Sequence, residues 1–326
     1  MFLLMVVVFV IGYIAIALEH PLKIDKAASA LLIGTLTWVV YISGAFDIFT
    51  SGVSTAWNEY FAANPEANTI EGMQHFIVHN QIIEHLGEIS EILFFLLGAM
   101  TIVEITDQHE GFKVITDRIK TTHKVKLLWI ISFITFFLSA ILDNLTTTIV
   151  MIALLRKLID DKHTRWFYAS MVVLAANAGG AWSPIGDVTT IMLWIGGQVT
   201  TINIIVGVLI PSLVCMVIPL LILGFTMKGH VTRPKVDENK QSVTTPFERN
   251  LMLALGVGGL LFVPVFKSIT HLPPYMGMLL SLAVIWMITE ILHLKKPKEL
   301  KLSVVSILKK VDVPTILFFL GILSAV

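Results

Sequence analysis

The sequence predicts an all-α polytopic membrane protein. Of its 326 residues, 56% are hydrophobic and only 14% are charged, whereas soluble domains carry about 25% charged residues. Uncharged runs that could form a membrane helix of about 20 residues recur along the chain. They cover 1–18, 27–46 and 188–227, and further apolar runs lie at 92–103, 127–142, 166–186, 251–266 and 275–289. Lipid admits only helices or closed barrels, and runs of this length fit helices.

Charge and motif content exclude several functional classes. The chain has 23 basic and 23 acidic residues, and this balance argues against nucleic acid as a partner, because phosphate binding needs a basic excess. The single cysteine, Cys215, cannot pair within the chain. The sequence contains no GxxxxGK[ST] loop, no HExxH pair and no CxxC. We therefore expect neither an enzyme nor a bound cofactor.

The first uncharged run, 1–18, is interpreted as the first membrane helix. The alternative is a cleaved signal peptide, but the run lacks a basic amino-terminal region and a clear small-residue cleavage site. Basic residues follow it instead, at Lys23 and Lys26.

Basic clusters orient the membrane segments, because Lys and Arg concentrate in cytoplasmic loops. The segment 47–75 carries four acidic residues and no basic one, so we expect it to be external. The basic clusters lie at 23–26, 113–126, 156–165, 228–249 and 295–310, and all can be placed on the cytoplasmic side.

The segment 127–155 is predicted to form a re-entrant hairpin. Basic clusters of the same side flank it, yet it has only 29 residues, whereas two crossings need about 40. Asp143 and Asn144 lie near its middle, and polar, irregular backbone at that depth must face protein or water. The alternative is a tight helical hairpin that crosses a thinned bilayer.

A short repeat predicts two halves of opposite orientation. The letters ILFFL occur at Ile92–Leu96 and again at Ile316–Leu320. The charge pattern gives the copies opposite directions, which is typical of the inverted repeats of secondary transporters. Val326 lies early in the second copy, so we expect that copy to be truncated. The predicted divisions are amino-terminal helices with the external segment (1–75), a first repeat (76–227), a cytoplasmic loop (228–250), and further helices that begin the second repeat (251–326).

The segment 166–199 is predicted to be a helix with an unwound middle. Between Asn177 and Asp187 lie three glycines and a proline, which disfavour a continuous helix. Unwinding would free carbonyl oxygens, which together with an Asn side chain, Thr hydroxyls and a carboxylate suit an alkali cation.

Acidic groups at membrane depth are costly and usually functional, which directs attention to Asp143 and Asp187. The alternative is that each caps a helix, and the two roles are compatible. Glu84, Glu88 and Glu91 share a helical face at the outer end of their helix. Glu88 is a further candidate, although that face could simply be solvated.

Four motifs resemble those of the NhaD-type sodium/proton antiporters. They are ALEHPLKIDKAASALL at 17–32, EHLGEISEILFFLLGAMTIVE at 84–104, LDNLTTTIVM at 142–151 and NAGGAWSPIGDVTTIMLW at 177–194. The resemblance implies exchange of Na⁺ or Li⁺ for H⁺ in a bacterial inner membrane or plastid envelope, and two inverted halves that each hold a hairpin and a broken helix. We expect the bacterial inner membrane. The ion-binding positions it implies are Asp143, Asn144, Thr146, Asn177, Asp187 and Thr189, with Glu88 as a further member. The metal ligands for Na⁺ or Li⁺ would be Asp143, Asn177 and Asp187.

The hypothesis for the mechanism is competition between a proton and a metal ion for a carboxylate in a water-poor cavity, with activity at alkaline pH. Which carboxylate carries the proton stays open. A cation-coupled carrier of dicarboxylates or other anions is the alternative, and an intramembrane protease with two aspartates is a third. Two acidic groups favour a cation as cargo. The expected partners are monovalent cations, protons and the bilayer, and a homodimer is left open.

Overall fold

The structure, a computed structural model, is built mainly from helices in the part of the chain that it describes. It describes residues 1–52, 54–116, 118–234, 244–294 and 302–326. The helices are α1 (Phe2–Ala17), α2 (Glu19–Leu22), α3 (Lys26–Ser43), α4 (Ala45–Thr50), α5 (Thr55–Ala63), α6 (Ile70–Phe76), α7 (Ile82–Gln108), α8 (Lys113–Thr116), α9 (Lys124–Leu142), α10 (Asn144–Leu158), α11 (Lys162–Ala181), α12 (Val188–Ile195), α13 (Thr201–Thr226), α14 (Pro246–Thr270), α15 (Pro274–His293), α16 (Val304–Leu308) and α17 (Val313–Ala325). A 3₁₀ turn (Pro65–Ala67) precedes α6, and a π-helical turn (Ile77–Gln81) joins α6 to α7.

Six helical segments in the described ranges are long and apolar enough to cross a membrane, judged by length and composition. They are Lys26–Ser43, Ile70–Gln108, Lys124–Leu142, Thr201–Thr226, Pro246–Thr270 and Pro274–His293. The apolar helices α1 and α17 are shorter, with 16 and 13 residues. The prediction of an all-α polytopic membrane protein is therefore confirmed. Both ILFFL segments are helical, in α7 and α17, and their inverted relation stays a prediction, as do the four predicted divisions of the chain.

The first compact unit comprises residues 1–94 and 312–326. Its central contact pairs α3 with α17 through two glycines. A Cβ atom added to Gly34 would lie 2.5 Å from the carbonyl oxygen of Gly321, and one added to Gly321 would lie 2.4 Å from the carbonyl carbon of Ala30. The two helices therefore touch backbone to backbone, which no larger residue would allow.

The described residues of the predicted external segment, 47–52 and 54–75, include short helices of this unit. Trp57 of α5 is 3% exposed and stacks on Phe49 of α4 with ring centroids 4.7 Å apart. Phe76 of α6 meets the same tryptophan edge to face. Aromatic burial of this kind supplies the apolar area that helices of fewer than ten residues need for stability.

The second compact unit comprises residues 95–311. In it, α9 and α11 pack closely enough that a Cβ atom on Gly179 would lie 2.1 Å from the carbonyl oxygen of Phe136. The Ser139 hydroxyl of α9 donates to the Ala176 carbonyl of α11 at 2.6 Å. The sequence predicted that the glycines after Asn177 would end the helix. In the structure, α11 continues through Gly179 and Gly180 to Ala181. Their role is to let the neighbouring backbone approach.

Candidate functional site

A single residue connects the two helices of the predicted hairpin. Helix α9 ends at Leu142 and α10 begins at Asn144, so Asp143 alone makes the turn. Its φ of +77° is uncommon for a residue other than glycine. The Asp143 carboxylate accepts a hydrogen bond from the Thr146 amide at one oxygen and from the Thr146 hydroxyl at the other, both at 2.8 Å. Asp143 is thus the N-cap of α10.

The second predicted irregularity lies between α11 and α12, where residues 182–187 leave the helical conformation. This segment folds back on α11: a Cβ atom on Gly180 would lie 2.2 Å from the carbonyl oxygen of Gly186. At its end Asp187 caps α12, since its Oδ1 accepts from the Thr189 amide at 2.8 Å and from the Thr189 hydroxyl at 2.6 Å. The interruption lies where the proline and the third glycine predict it.

Asn144 connects the two irregular segments. Its side-chain amide donates to Asn177 Oδ1 at 3.1 Å and to the second carboxylate oxygen of Asp187. Asn177 donates its own amide nitrogen to the Val173 carbonyl at 2.8 Å, which turns its oxygen towards Asn144. Both N–H groups of Asn144 are therefore used, and they join the hairpin tip, the last turns of α11 and the start of α12.

Six of the seven predicted ion-binding residues form one continuous network, through these hydrogen bonds and the peptide bond between Asp143 and Asn144. They are Asp143, Asn144, Thr146, Asn177, Asp187 and Thr189. Glu88 is an exposed residue of α7 in the first unit. Its part in ion binding stays a prediction.

The network is half-buried rather than enclosed within the second unit. Asp143, Asn144 and Asp187 are half-buried, whereas Asn177 and Thr189 are exposed. One turn beyond Asn144 lies Thr147, whose fully buried hydroxyl has no hydrogen-bond partner among the described residues. Its signal in the sequence was only its place in a run of three threonines.

Two buried serines that sequence reasoning missed hold the irregular segments together. Ser139 Oγ donates to the Ala176 carbonyl, and Ser183 Oγ donates to the Ala140 carbonyl at 2.5 Å. The first bond connects α9 to α11, and the second connects α9 to the irregular segment 182–187. A serine near a helix end is common, so the sequence alone does not predict which carbonyl group its hydroxyl contacts.

Four helix ends meet at the network, and their partial charges define what it can hold. The N-termini of α10 and α12 carry partial positive charge, which ordinarily attracts an anion. Here the protein's own carboxylates, Asp143 and Asp187, occupy both N-termini. The network contains no Lys or Arg, so its formal charge is negative when both acids are ionised. Its remaining groups are hard oxygen donors of the kind that alkali cations prefer.

Soft metal ligands are not part of this arrangement. In the described ranges no group of three or more His, Cys, Asp or Glu side chains could hold a metal ion. The donors at the network are instead two carboxylates, amide oxygens and hydroxyls, a set that suits weakly bound, exchangeable ions.

Comparison with known proteins places the chain in a family. A family model described as CitMHS, citrate transporter, matches residues 7–326. Sodium/proton antiporter 1 of Arabidopsis thaliana is 43% identical over 324 residues, which are 99% of this chain and 51% of that protein. Sodium/proton antiporter 2 of the same plant is 42% identical, over 98% of this chain and 70% of its own length. The Na(+)/H(+) antiporter NhaD of Alkalimonas amylolytica is 28% identical, over 90% of this chain and 56% of its own length. The chain thus spans about half to two thirds of the length of these relatives.

Proposed function

Because the chain belongs to the CitMHS transporter family and to its NhaD-type sodium/proton antiporter branch, we propose that the protein exchanges Na⁺ or Li⁺ for H⁺ across a membrane. The single observation that carries the proposal is the Asn144 amide bridge, which holds Asp187 beside the hairpin tip that bears Asp143. Two carboxylates and several neutral oxygens then belong to one hydrogen-bonded network, with no basic side chain among them.

Competition between a proton and a metal ion gives the exchange. When a carboxylate of the site is ionised, Na⁺ or Li⁺ offsets its charge, with neutral oxygens from Asn177 and the threonines as further ligands. When the carboxylate is protonated, it no longer attracts a cation. A site that opens alternately to the two sides would then carry one cation in one direction and a proton in the other without ATP. Apparent Na⁺ affinity should fall as pH falls, so activity is expected at alkaline pH.

An anion carrier is the second candidate, because the family takes its description from citrate transport and two helix N-termini meet at the site. A citrate carboxylate would have to share those N-termini with Asp143 and Asp187, and like charges at contact distance repel. The capped N-termini therefore support a cation as cargo.

The protein is an integral membrane protein, and the bacterial inner membrane is the location that we propose. NhaD relatives from bacteria support this location, and the cytoplasmic placement of the basic clusters is consistent with it. Relatives of the chain also occur in the plant Arabidopsis thaliana.

The test separates ion binding from helix capping. Asparagine caps helices about as well as aspartate and tolerates a positive φ, so Asp143→Asn and Asp187→Asn should keep the fold. In proteoliposomes that contain the full-length protein, a Na⁺ pulse should drive proton movement with the wild type and not with either variant. Asp161→Asn is the matched control, since Asp161 caps α11 through Thr164 but lies outside the network. Wild-type exchange by both site variants would refute the proposal, and Na⁺-driven uptake of labelled citrate without proton movement would support the anion carrier instead.

A further inference from the structure

Lys267 is the only basic residue outside the clusters assigned to the cytoplasmic side. The other 22 of the 23 lysines and arginines lie in those clusters. Helix α14 begins directly after the cytoplasmic loop 228–250, and Lys267 lies in its last turn. A helix of 25 residues is long enough to cross the bilayer, so Lys267 is expected at the opposite side. An ammonium group there departs from the usual distribution of charge and calls for a specific partner.

One partner of Lys267 is the carboxyl-terminal end of α12. Lys267 Nζ donates to the Trp194 carbonyl at 3.1 Å and lies 4.3 Å from the centroid of the Trp194 ring. Trp194 is 3% exposed and is the penultimate residue of α12. One lysine thus contacts the main chain and the side chain of the same residue. An ammonium group near a helix C-terminus offsets the partial negative charge there, and its place over an indole ring adds a cation–π attraction.

Helix α12 depends on contacts at its ends. It has eight residues, a length at which an isolated helix is unstable in water. Asp187 and its bond from Asn144 hold the amino-terminal end. At the other end, the turn after α12 donates main-chain amides back to the helix, among them Gln198 to the Leu193 carbonyl at 2.9 Å. The Trp194 carbonyl accepts both the Gly197 amide at 3.3 Å and the Lys267 ammonium at 3.1 Å.

We propose that Lys267 is a positioning residue for the ion site. By holding the carboxyl-terminal end of α12, Lys267 fixes Asp187, at the amino-terminal end of the same short helix, against Asn144. The ammonium does not touch the transported ion. Its effect on transport rests on the proposed exchange, whereas its effect on α12 does not.

A quantitative expectation follows from the fraction of molecules in which α12 is formed. The apparent dissociation constant for Na⁺ equals the intrinsic constant divided by that fraction, so it rises when fewer molecules have α12 formed. Loss of the ammonium should raise the half-saturating Na⁺ concentration by about tenfold, which corresponds to about 1.4 kcal/mol. The maximal exchange rate at saturating Na⁺ should stay unchanged, because bound Na⁺ restores the formed state.

The experiment compares Lys267→Met, Lys267→Arg and the control Lys228→Gln in the full-length protein. Lys228 is an exposed lysine just after α13. Amide hydrogen exchange in the absence of Na⁺ should accelerate in peptides covering 187–195 for Lys267→Met. It should stay at the wild-type rate for Lys228→Gln and return towards that rate for Lys267→Arg, whose guanidinium can donate and stack in the same place. Peptides covering 263–271 report a purely local role, since Lys267 also lies in the last turn of α14.

The measurements of hydrogen exchange, Na⁺ dependence and proton movement test three separate claims. Unchanged hydrogen exchange in 187–195, or a change confined to 263–271, would overturn the positioning role. Faster hydrogen exchange together with an unchanged half-saturating Na⁺ concentration would overturn the connection to the ion site. A wild-type protein without Na⁺-driven proton movement would refute the proposed function, and hydrogen exchange would still decide whether Lys267 holds α12.

Discussion

Asn144 and Asn177 stand 33 positions apart in the chain, yet the amide nitrogen of one lies 3.1 Å from the amide oxygen of the other. This contact connects the first residue of α10 to the last turns of α11. Neither side chain is charged, but Asn144 also donates to Asp187 and directly follows Asp143 in the chain, so it connects the two acids. Neutral amides therefore order the two acids, and the first prediction concerns them.

Replacing Asn144 by alanine should weaken Na⁺ binding. The change removes two donors and leaves Asp187 without its bond to the hairpin tip, and a hydrogen bond to a charged group contributes about 1.5–3 kcal/mol. We expect the half-saturating Na⁺ concentration of exchange to rise at least tenfold, measured in proteoliposomes with a pH-sensitive dye. Asn203→Ala is the matched control, because Asn203 is an exposed residue of the first turn of α13. Equal Na⁺ dependence in both variants would show that the bridge does not serve the site.

Replacing Thr146 by valine should lower exchange at low Na⁺ more than the same change at Thr148, because the Thr146 hydroxyl contacts an acidic group. The Thr146 hydroxyl donates to Asp143, whereas the Thr148 hydroxyl donates to the Asn144 carbonyl. Valine has nearly the same shape as threonine, so Thr146→Val removes one bond to the acid and retains the amide cap. We expect exchange at low Na⁺ to fall about fivefold for Thr146→Val, equivalent to roughly 1 kcal/mol, and to change less than twofold for Thr148→Val. Rates measured across a Na⁺ titration decide this, and the reverse order of the two variants would contradict it.

The sequence predicted the positions of the two irregular segments because their causes are local. Asp143 and Asn144 interrupt an apolar run, and Pro184 and Gly186 disfavour a helix. Both turns could therefore be located from the local sequence. The Asn144 bridge could not, because it joins residues brought together only when α10 packs against α11. The role of Glu88 stays a prediction, because its spacing indicates a helical face but not what that face binds.

The glycines show most clearly what the sequence leaves undetermined. Gly179 reads as a helix breaker by propensity, yet it lies inside α11 because its missing side chain admits the Phe136 carbonyl. Propensity describes the chain alone, whereas this contact depends on Phe136, a residue 43 positions earlier in the chain. In the same way, the sequence shows Lys267 as an isolated basic residue. Its contact with Trp194 becomes visible only in the folded structure.

Replacing Gly179 by alanine should therefore destabilise the second unit. The new methyl group would lie 2.1 Å from the Phe136 carbonyl oxygen, and backbone must shift to relieve it, at a cost of about 1–3 kcal/mol. Gly207→Ala in α13 is the matched control, because nothing lies within 4 Å of its added Cβ. There the substitution should be neutral or stabilising by up to about 1 kcal/mol. Thermal unfolding of the purified protein in detergent measures both, and a Gly179→Ala midpoint at or above that of Gly207→Ala would contradict the packing argument.

The final prediction concerns the contact between α3 and α17 in the first unit. Gly321 follows the second ILFFL segment, and an added Cβ would lie 2.4 Å from the Ala30 carbonyl carbon and equally close to the Leu31 nitrogen. Both obstacles are main-chain atoms of one helix, so no rotation of a side chain can relieve the overlap. The helices must separate, and the buried surface of Ala30 and Ile33 would then open. We expect Gly321→Ala to lower the free energy of unfolding by about 2 kcal/mol.

The control for Gly321→Ala is Gly87→Ala in α7 of the same unit, where the added Cβ meets nothing within 4 Å. That change should leave the unfolding midpoint at or above the wild-type value, because alanine favours helix over glycine. An unfolding midpoint for Gly321→Ala at or above that of Gly87→Ala would mean that α3 and α17 do not depend on this glycine for their contact.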